Sequence, residues 1–271
     1  EVEKCALLCL YYAHNMKKFL SEEEIKTEYS KSYVRYEPIG VVGSIMPWNF
    51  PMWQALRFAI PSMMVGNVHI LKPSSCTVKS GGLMLNHLFE KCKFPENVFQ
   101  LAVGQSSTGT ALIEAGTDAI SFTGSTETGS QVAQLAMKNM KKVVLELGGN
   151  DPFIVLADAN IDKAVEGAVA GRFLNCGQSC IAAKRIIVVK DVADKFTQKF
   201  VEAVGKLVVG DGSRKETDMG PMVRPDARKR VDEQVRKTVS EGAKIVLGGK
   251  QPDRRGFFYE PRILTGVTND M

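Results

Sequence analysis

The chain has 271 residues, 44% of them hydrophobic and 24% charged, which supplies a sizeable apolar core and excludes disorder and fibrous repeats. Lys and Arg number 35 against 30 Asp and Glu, a net charge of +5, and the basic residues are scattered rather than striped, so there is no case for nucleic acid. No apolar run reaches the roughly 20 residues of a spanning helix and no basic-then-apolar leader opens the chain, so the expectation is a soluble, cytoplasmic protein without membrane contact.

Residues 2–20 carry apolar side chains at three- and four-residue intervals, with Glu1, Glu3, Lys4, Lys17 and Lys18 elsewhere, and read as an amphipathic packing helix. Short β-branched or apolar runs follow at 41–45, 68–71, 98–103, 119–122 and 143–147. Helical patterns lie between them at 54–65, 79–92, 108–115 and 127–140. Strand and helix alternating in this way predict an α/β fold with a Rossmann-like, doubly wound parallel sheet, whose ligands sit at the carboxyl ends of the strands. Gly148-Gly149 then punctuates the chain. A second alternation has strand 152–156, helix 161–174, strand 185–189, helices 192–207 and 228–240, and strands 244–247 and 257–264. Two domains are therefore expected, over 1–147 and 148–271, the second also α/β. The chain opens on Glu1 and stops just after a strand-like segment, which suggests a fragment.

The cysteines at 5, 9, 76, 92, 176 and 180 read as free thiols in a reducing compartment. Neither Cys5/Cys9 nor Cys176/Cys180 has metal-ligand spacing, and the histidines at 14, 69 and 87 do not cluster with them, so no metal site is expected.

Three segments could carry chemistry. Phe122-Thr123-Gly124-Ser125-Thr126-Glu127-Thr128-Gly129 places a glycine and hydroxyls where a strand gives way to a helix. Such a turn either holds a phosphate on free backbone N–H groups or is an ordinary helix cap. Phe173-Leu174-Asn175-Cys176-Gly177-Gln178-Ser179-Cys180 follows a helix; Cys180 is either a nucleophile presented on a loop or a buried thiol. Glu146 is a single carboxylate in an otherwise apolar strand, and burial there would make it either functional or salt-bridged.

Together these residues resemble the aldehyde dehydrogenase superfamily. The matching segments are Pro47-Trp48-Asn49-Phe50-Pro51, Lys72-Pro73-Ser74, Phe122-Thr123-Gly124-Ser125-Thr126, Leu145-Glu146-Leu147-Gly148-Gly149 and Asn175-Cys176-Gly177-Gln178-Ser179-Cys180, in the family's order across 36–180. Family chains are longer at both ends, and the later Glu-x-Phe-Gly-Pro segment and the C-terminal oligomerisation strand have no counterpart here.

The resemblance implies a dinucleotide-binding first domain and a catalytic second one that carries the nucleophile. Cys180 would attack the aldehyde carbon, Glu146 would activate the hydrolytic water, and the Asn49 amide with the Cys180 backbone N–H would hold the oxyanion. Gly124 and Ser125 would face the cofactor pyrophosphate, while Met46, Trp48 and Leu147 would line its cleft. Lys72, Ser74 and Ser75 would face the adenosine ribose. NAD-preferring members usually carry Glu at the position of Ser75; a serine tolerates a 2′-phosphate, which favours NADP over NAD, with the latter kept open.

Arg57 and the stretch Cys180-Ile181-Ala182-Ala183-Lys184-Arg185 are similar to the succinate-semialdehyde dehydrogenase branch, which implies an anchor for a substrate carboxylate. The other reading of Arg57 is a surface charge or structural ion pair. Some members of that branch have a second arginine where this chain has Leu174, so short-chain aldehydes and lactaldehyde stay open. Cys176 reads as a bystander. The full-length protein is expected to be a homodimer or homotetramer, and a non-catalytic structural or binding fragment is the reading from another class.

Overall fold

The computed structural model describes residues 1–249 and 254–271 and divides into two units, Glu1–Gly148 and Gly149–Met271. In the first, α1 (Val2–Phe19) buries Cys5 and Met16, with Leu8, Cys9 and Tyr12 packed beside them toward the core. That spacing of three, four and seven residues is one face of a helix. A hairpin of two-residue strands, β1 (Glu23–Glu24) and β2 (Tyr33–Val34), follows. Its residues are all exposed, so it leaves no hydrophobic pattern in the sequence.

Five parallel strands then form the sheet: β3 (Val41–Ile45), β4 (Val68–Lys72), β5 (Phe99–Leu101), β6 (Ala119–Thr123) and β7 (Lys142–Glu146). Their spatial order is β5-β4-β3-β6-β7. The chain winds outward from β3 through β5, then returns to place β6 on the other side of β3, so β3 and β6 flank the switch point of a doubly wound sheet. Helices α2 (Pro51–Met64), α3 (Met84–Lys91), α4 (Ser106–Glu114) and α5 (Thr126–Lys138) make the crossovers. Strand alternation assigns them to two cores: Leu71 and Phe99 pack with α2 and α3 around Ala55, Leu56 and Phe89, whereas Ile70, Ile120 and Phe122 pack with α4 and α5 around Leu112 and Val132. The helix expected over 79–92 opens as a wide turn, Lys79–Leu83, before α3. There Gly81 lies so close to α2 that a Cβ would sit 2.7 Å from that of Pro51.

In the second unit, β8 (Asp151–Val155) pairs in parallel with β9 (Ala183–Val188) across the crossover helix α6 (Ile161–Phe173). Phe196 and Phe200 of α7 (Lys190–Val204) pack with Val155, Ile161, Val165 and Ala168 in its core. Helix α8 (Pro225–Ser240) buries only Asp232, which accepts from Arg262 and Tyr259. Strands β10 (Lys244–Leu247) and β11 (Ile263–Thr265) pair antiparallel. The strand expected over 257–264 is thus cut to its last two residues plus Thr265, because Pro261 cannot donate to a ladder. Among the described residues no helix is long and apolar enough to cross a membrane.

Candidate active site

Parallel register aligns the carboxyl ends of the first unit's strands. Ile45 pairs with Lys72 on one side and with Phe122 on the other, and Thr123 pairs with Glu146. The segments leaving these ends are Met46 to Asn49, Pro73 to Ser75, Gly124-Ser125 and Leu147, so every first-unit residue expected to touch cofactor stands on one sheet edge. A bond from the Gly124 N–H to the Glu146 carbonyl, 3.0 Å, closes the edge between β6 and β7.

At the end of β3, Met46 is buried and Trp48 and Asn49 are half-buried. Asn49 Oδ1 accepts from the Phe50 N–H at 3.1 Å, at the start of α2, which carries Pro51 in its first turn.

At the end of β4, Lys72 is 8% exposed, and its ammonium donates to the Pro73 carbonyl at 3.2 Å. Burial holds this amine below the usual lysine range. Ser74 Oγ caps the turn Ser75–Thr77 by accepting from the Cys76 N–H, and Ser75 is exposed. The hydroxyls of Thr77 and Thr123 are buried without a hydrogen-bond partner among the described residues.

At the end of β6, Ser125 is the N-cap of α5, its Oγ accepting from the Thr128 N–H at 3.3 Å. The serine side chain is therefore spent on the helix. An anion there would meet the first N–H groups of α5, which have no intrahelical acceptor. Leu147 is half-buried and packs into the core, where a Cβ on Gly129 would come within 2.4 Å of its Cδ2.

Glu146 is not the buried carboxylate that its apolar neighbours suggest. β7 is an edge strand among the described residues, and Lys142, Val144 and Glu146 alternate outward while Val143 and Leu145 turn in. The Glu146 carboxylate is 54% exposed and lies 3.7 Å from the Arg57 guanidinium, itself 37% exposed. Both line a cavity of about 210 Å³ with Met46, Ser121 and Thr123. Arg57 thus faces the cavity with an anion already beside it.

In the second unit, α6 runs into a turn whose residues Asn175, Cys176 and Gly177 have φ of 52°, 57° and 70°. Left-handed backbone costs a non-glycine residue roughly 1–2 kcal/mol, and side chains offset that cost here. Gln178 donates to the Asn175 carbonyl and accepts from the Val223 N–H, both at 3.1 Å. Cys176 Sγ reaches the Gly220 carbonyl at 3.1 Å, and burial pushes its thiol up. Cys180 is half-buried on the turn that follows. A Cβ on Gly149 would come within 3.1 Å of the Cys180 carbonyl, so the two segments pass in close contact there.

The aldehyde dehydrogenase family model matches residues 1–271. The chain belongs to the aldehyde dehydrogenase family. It is 44% identical over 268 residues, 98% of its length and 59% of the relative's, to a protein of Synechocystis sp. named a probable NADP(+) succinate-semialdehyde dehydrogenase. It is 45% identical over 275 residues, 100% of its length and 58% of the relative's, to an NADP(+) succinate-semialdehyde dehydrogenase of Mycobacterium avium. The solved succinate-semialdehyde dehydrogenase of Burkholderia pseudomallei superposes with a TM-score of 0.93 at 34% identity, over 98% of this chain and 56% of that one. The chain therefore spans less than two thirds of the length of these family members.

Two features of this aldehyde dehydrogenase chain escape a reading of sequence alone. Gln178 stands inside the motif that ends at Cys180, yet its part as a brace between two loops depends on Val223, 45 residues on. Thr77 and Thr123, whose buried hydroxyls have no hydrogen-bond partner among the described residues, are ordinary threonines until the sheet edge is assembled.

Proposed function

We propose that the full-length protein oxidises an aldehyde to a carboxylate with a nicotinamide dinucleotide, preferably NADP, and that its substrate is succinic semialdehyde. The observation that carries this reading is the Arg57 guanidinium lining one cavity with Glu146, in a chain 44% and 45% identical to relatives named for that substrate and cofactor.

The residues of the sheet edge fit the dinucleotide. Lys72 is a buried cation with a neutral partner, and the first N–H groups of α5, beside Gly124, have no intrahelical acceptor. A serine rather than a carboxylate at Ser75 removes the repulsion that a 2′-phosphate would meet. When bound, the cofactor supplies the hydride acceptor.

The chain's own residues do the rest. The Cys180 thiolate forms a C–S bond to the aldehyde carbon, and the oxygen that becomes negative is held by the Cys180 N–H and the Asn49 amide. Oxidation of that thiohemiacetal leaves a thioester on Sγ. Glu146 takes a proton from the water that attacks the thioester, the C–S bond breaks, and acid and thiol are released. Arg57 pairs with the distal carboxylate of the substrate.

The deciding experiment is Cys180→Ser in the full-length protein. It is expected to abolish turnover while circular dichroism and melting stay as in wild type, and retention of more than a trace of turnover would overturn the assignment.

A further inference from the structure

The register of the β8/β9 pair slips once. Asp151 faces Ala183 and Pro152 faces Arg185, which leaves Lys184 as the extra residue of a bulge. Pro152 has no N–H to give to the ladder, which accounts for the slip at that point, and a bulge re-aims the side chain it carries. The re-aimed Lys184 ammonium meets three backbone carbonyls in the turn around Cys180: that of Cys180 at 2.7 Å, of Ser179 at 3.0 Å and of Ala182 at 3.4 Å. An ammonium has three N–H donors, so each has an acceptor. The next residue, Arg185, forks onto the Asn150 carbonyl through Nε and NH2 at 3.1 and 2.9 Å, which fixes the strand from which Lys184 reaches.

We infer that Lys184 is a positioning residue for oxyanion stabilisation, acting through the backbone. The peptide bonds here are trans, and in a trans peptide the C=O of one residue and the N–H of the next point in opposite directions. Holding the Ser179 carbonyl on the Lys184 side therefore aims the Cys180 N–H away from it, as a fixed donor. The charge on the ammonium also polarises that peptide and strengthens its N–H. Preorganised donors of this kind need no rearrangement when charge develops on the substrate oxygen. The inference rests on the reading of Cys180 as the nucleophile.

The test separates oxyanion stabilisation from thiol chemistry. Iodoacetamide is attacked by the same sulfur, but iodide leaves without a negative oxygen forming on the reacting carbon. In full-length Lys184→Met, kcat/KM for the aldehyde is expected to fall by about tenfold or more, toward the loss typical of an oxyanion donor. The alkylation rate of the Cys180 peptide at neutral pH, where Lys184 keeps its charge, should fall by far less than turnover. Lys184→Gln keeps an N–H donor and should fall between the two, and it carries the test if the Met variant does not fold. Equal loss of alkylation and turnover would reduce Lys184 to general loop support, and wild-type turnover in both variants would remove it from the reaction; either overturns the inference. Failure of the underlying reading looks different, because alkylated Cys180 in wild type would then leave turnover intact.

Discussion

The Arg57 guanidinium lies 3.7 Å from the Glu146 carboxylate, with both groups more than a third exposed. A pair in that environment is worth roughly 0.2–1 kcal/mol, whereas breaking a desolvated pair between protein and ligand costs about 2–5 kcal/mol. The weak pair leaves Arg57 able to take a substrate carboxylate in its place, and the carboxylate that would then be released is the one proposed to act as base.

The first prediction follows from that difference. Succinic semialdehyde should exceed an uncharged aldehyde of similar length in kcat/KM, and Arg57→Ala should erase the advantage by more than about tenfold. Loss of the Arg57–Glu146 pair alone would weaken both aldehydes alike. Kinetics of the two substrates in the two proteins decide it, and an unchanged ratio refutes the carboxylate anchor.

Glu146→Gln keeps the shape of the side chain and removes the base. Deacylation should slow by roughly 100-fold or more, while the first turnover still releases its reduced cofactor. Stopped-flow absorbance should then show a burst followed by a slow steady rate. If the burst vanishes along with turnover, Glu146 acts before the thioester forms.

The alternation of strand and helix was legible because each strand of the five-stranded sheet turns at least one face toward the core and each helix has one apolar stripe. Hence the lines of residues leaving the strands, from Met46 to Ser125, could be placed at one sheet edge. Periodicity does not report position within the sheet, which is why Glu146 read as buried until β7 stood at the edge. Nor does it report register: the bulge at Lys184 depends on Pro152 lying opposite. The core contact of Leu147 likewise depends on Gly129, a partner that only the folded chain brings near. The opening of the predicted helix at 79–92 as a wide turn reflects the close passage of Gly81 by Pro51, a contact between segments 30 residues apart.

Cofactor choice is tested at Ser75, exposed just beyond the buried Lys72. Ser75→Glu places a carboxylate where a 2′-phosphate would lie, so the kcat/KM ratio should shift from NADP toward NAD. Lys72→Met should weaken NADP more than NAD, since the lost cation no longer offsets the additional phosphate charge. Unchanged ratios in both variants would show that this end of β4 does not read the ribose.

The last prediction concerns His69, fully buried in β4 at the centre of the first unit. Its Nε2 meets Ser44 Oγ at 2.8 Å and its ring stacks on Phe99, while Nδ1 has no partner among the described residues. Burial pushes its pKa down from 6.5 to about 3, so the folded chain keeps the ring neutral where the unfolded chain protonates it. The unfolded state then binds more protons between those values. Stability is fully present above pH 6.5 and is lost as pH falls toward 3. At about 1.4 kcal/mol per pH unit, the loss between pH 6.5 and 5 is about 2 kcal/mol. Trp48 and Trp53, the chain's two tryptophans, both belong to the first unit, so their fluorescence follows its unfolding in urea. His69→Leu should lower stability at neutral pH by leaving the Ser44 hydroxyl unpaired, yet flatten the acid limb, because its side chain has no proton to gain. Parallel curves for wild type and variant would show that the acid sensitivity arises elsewhere.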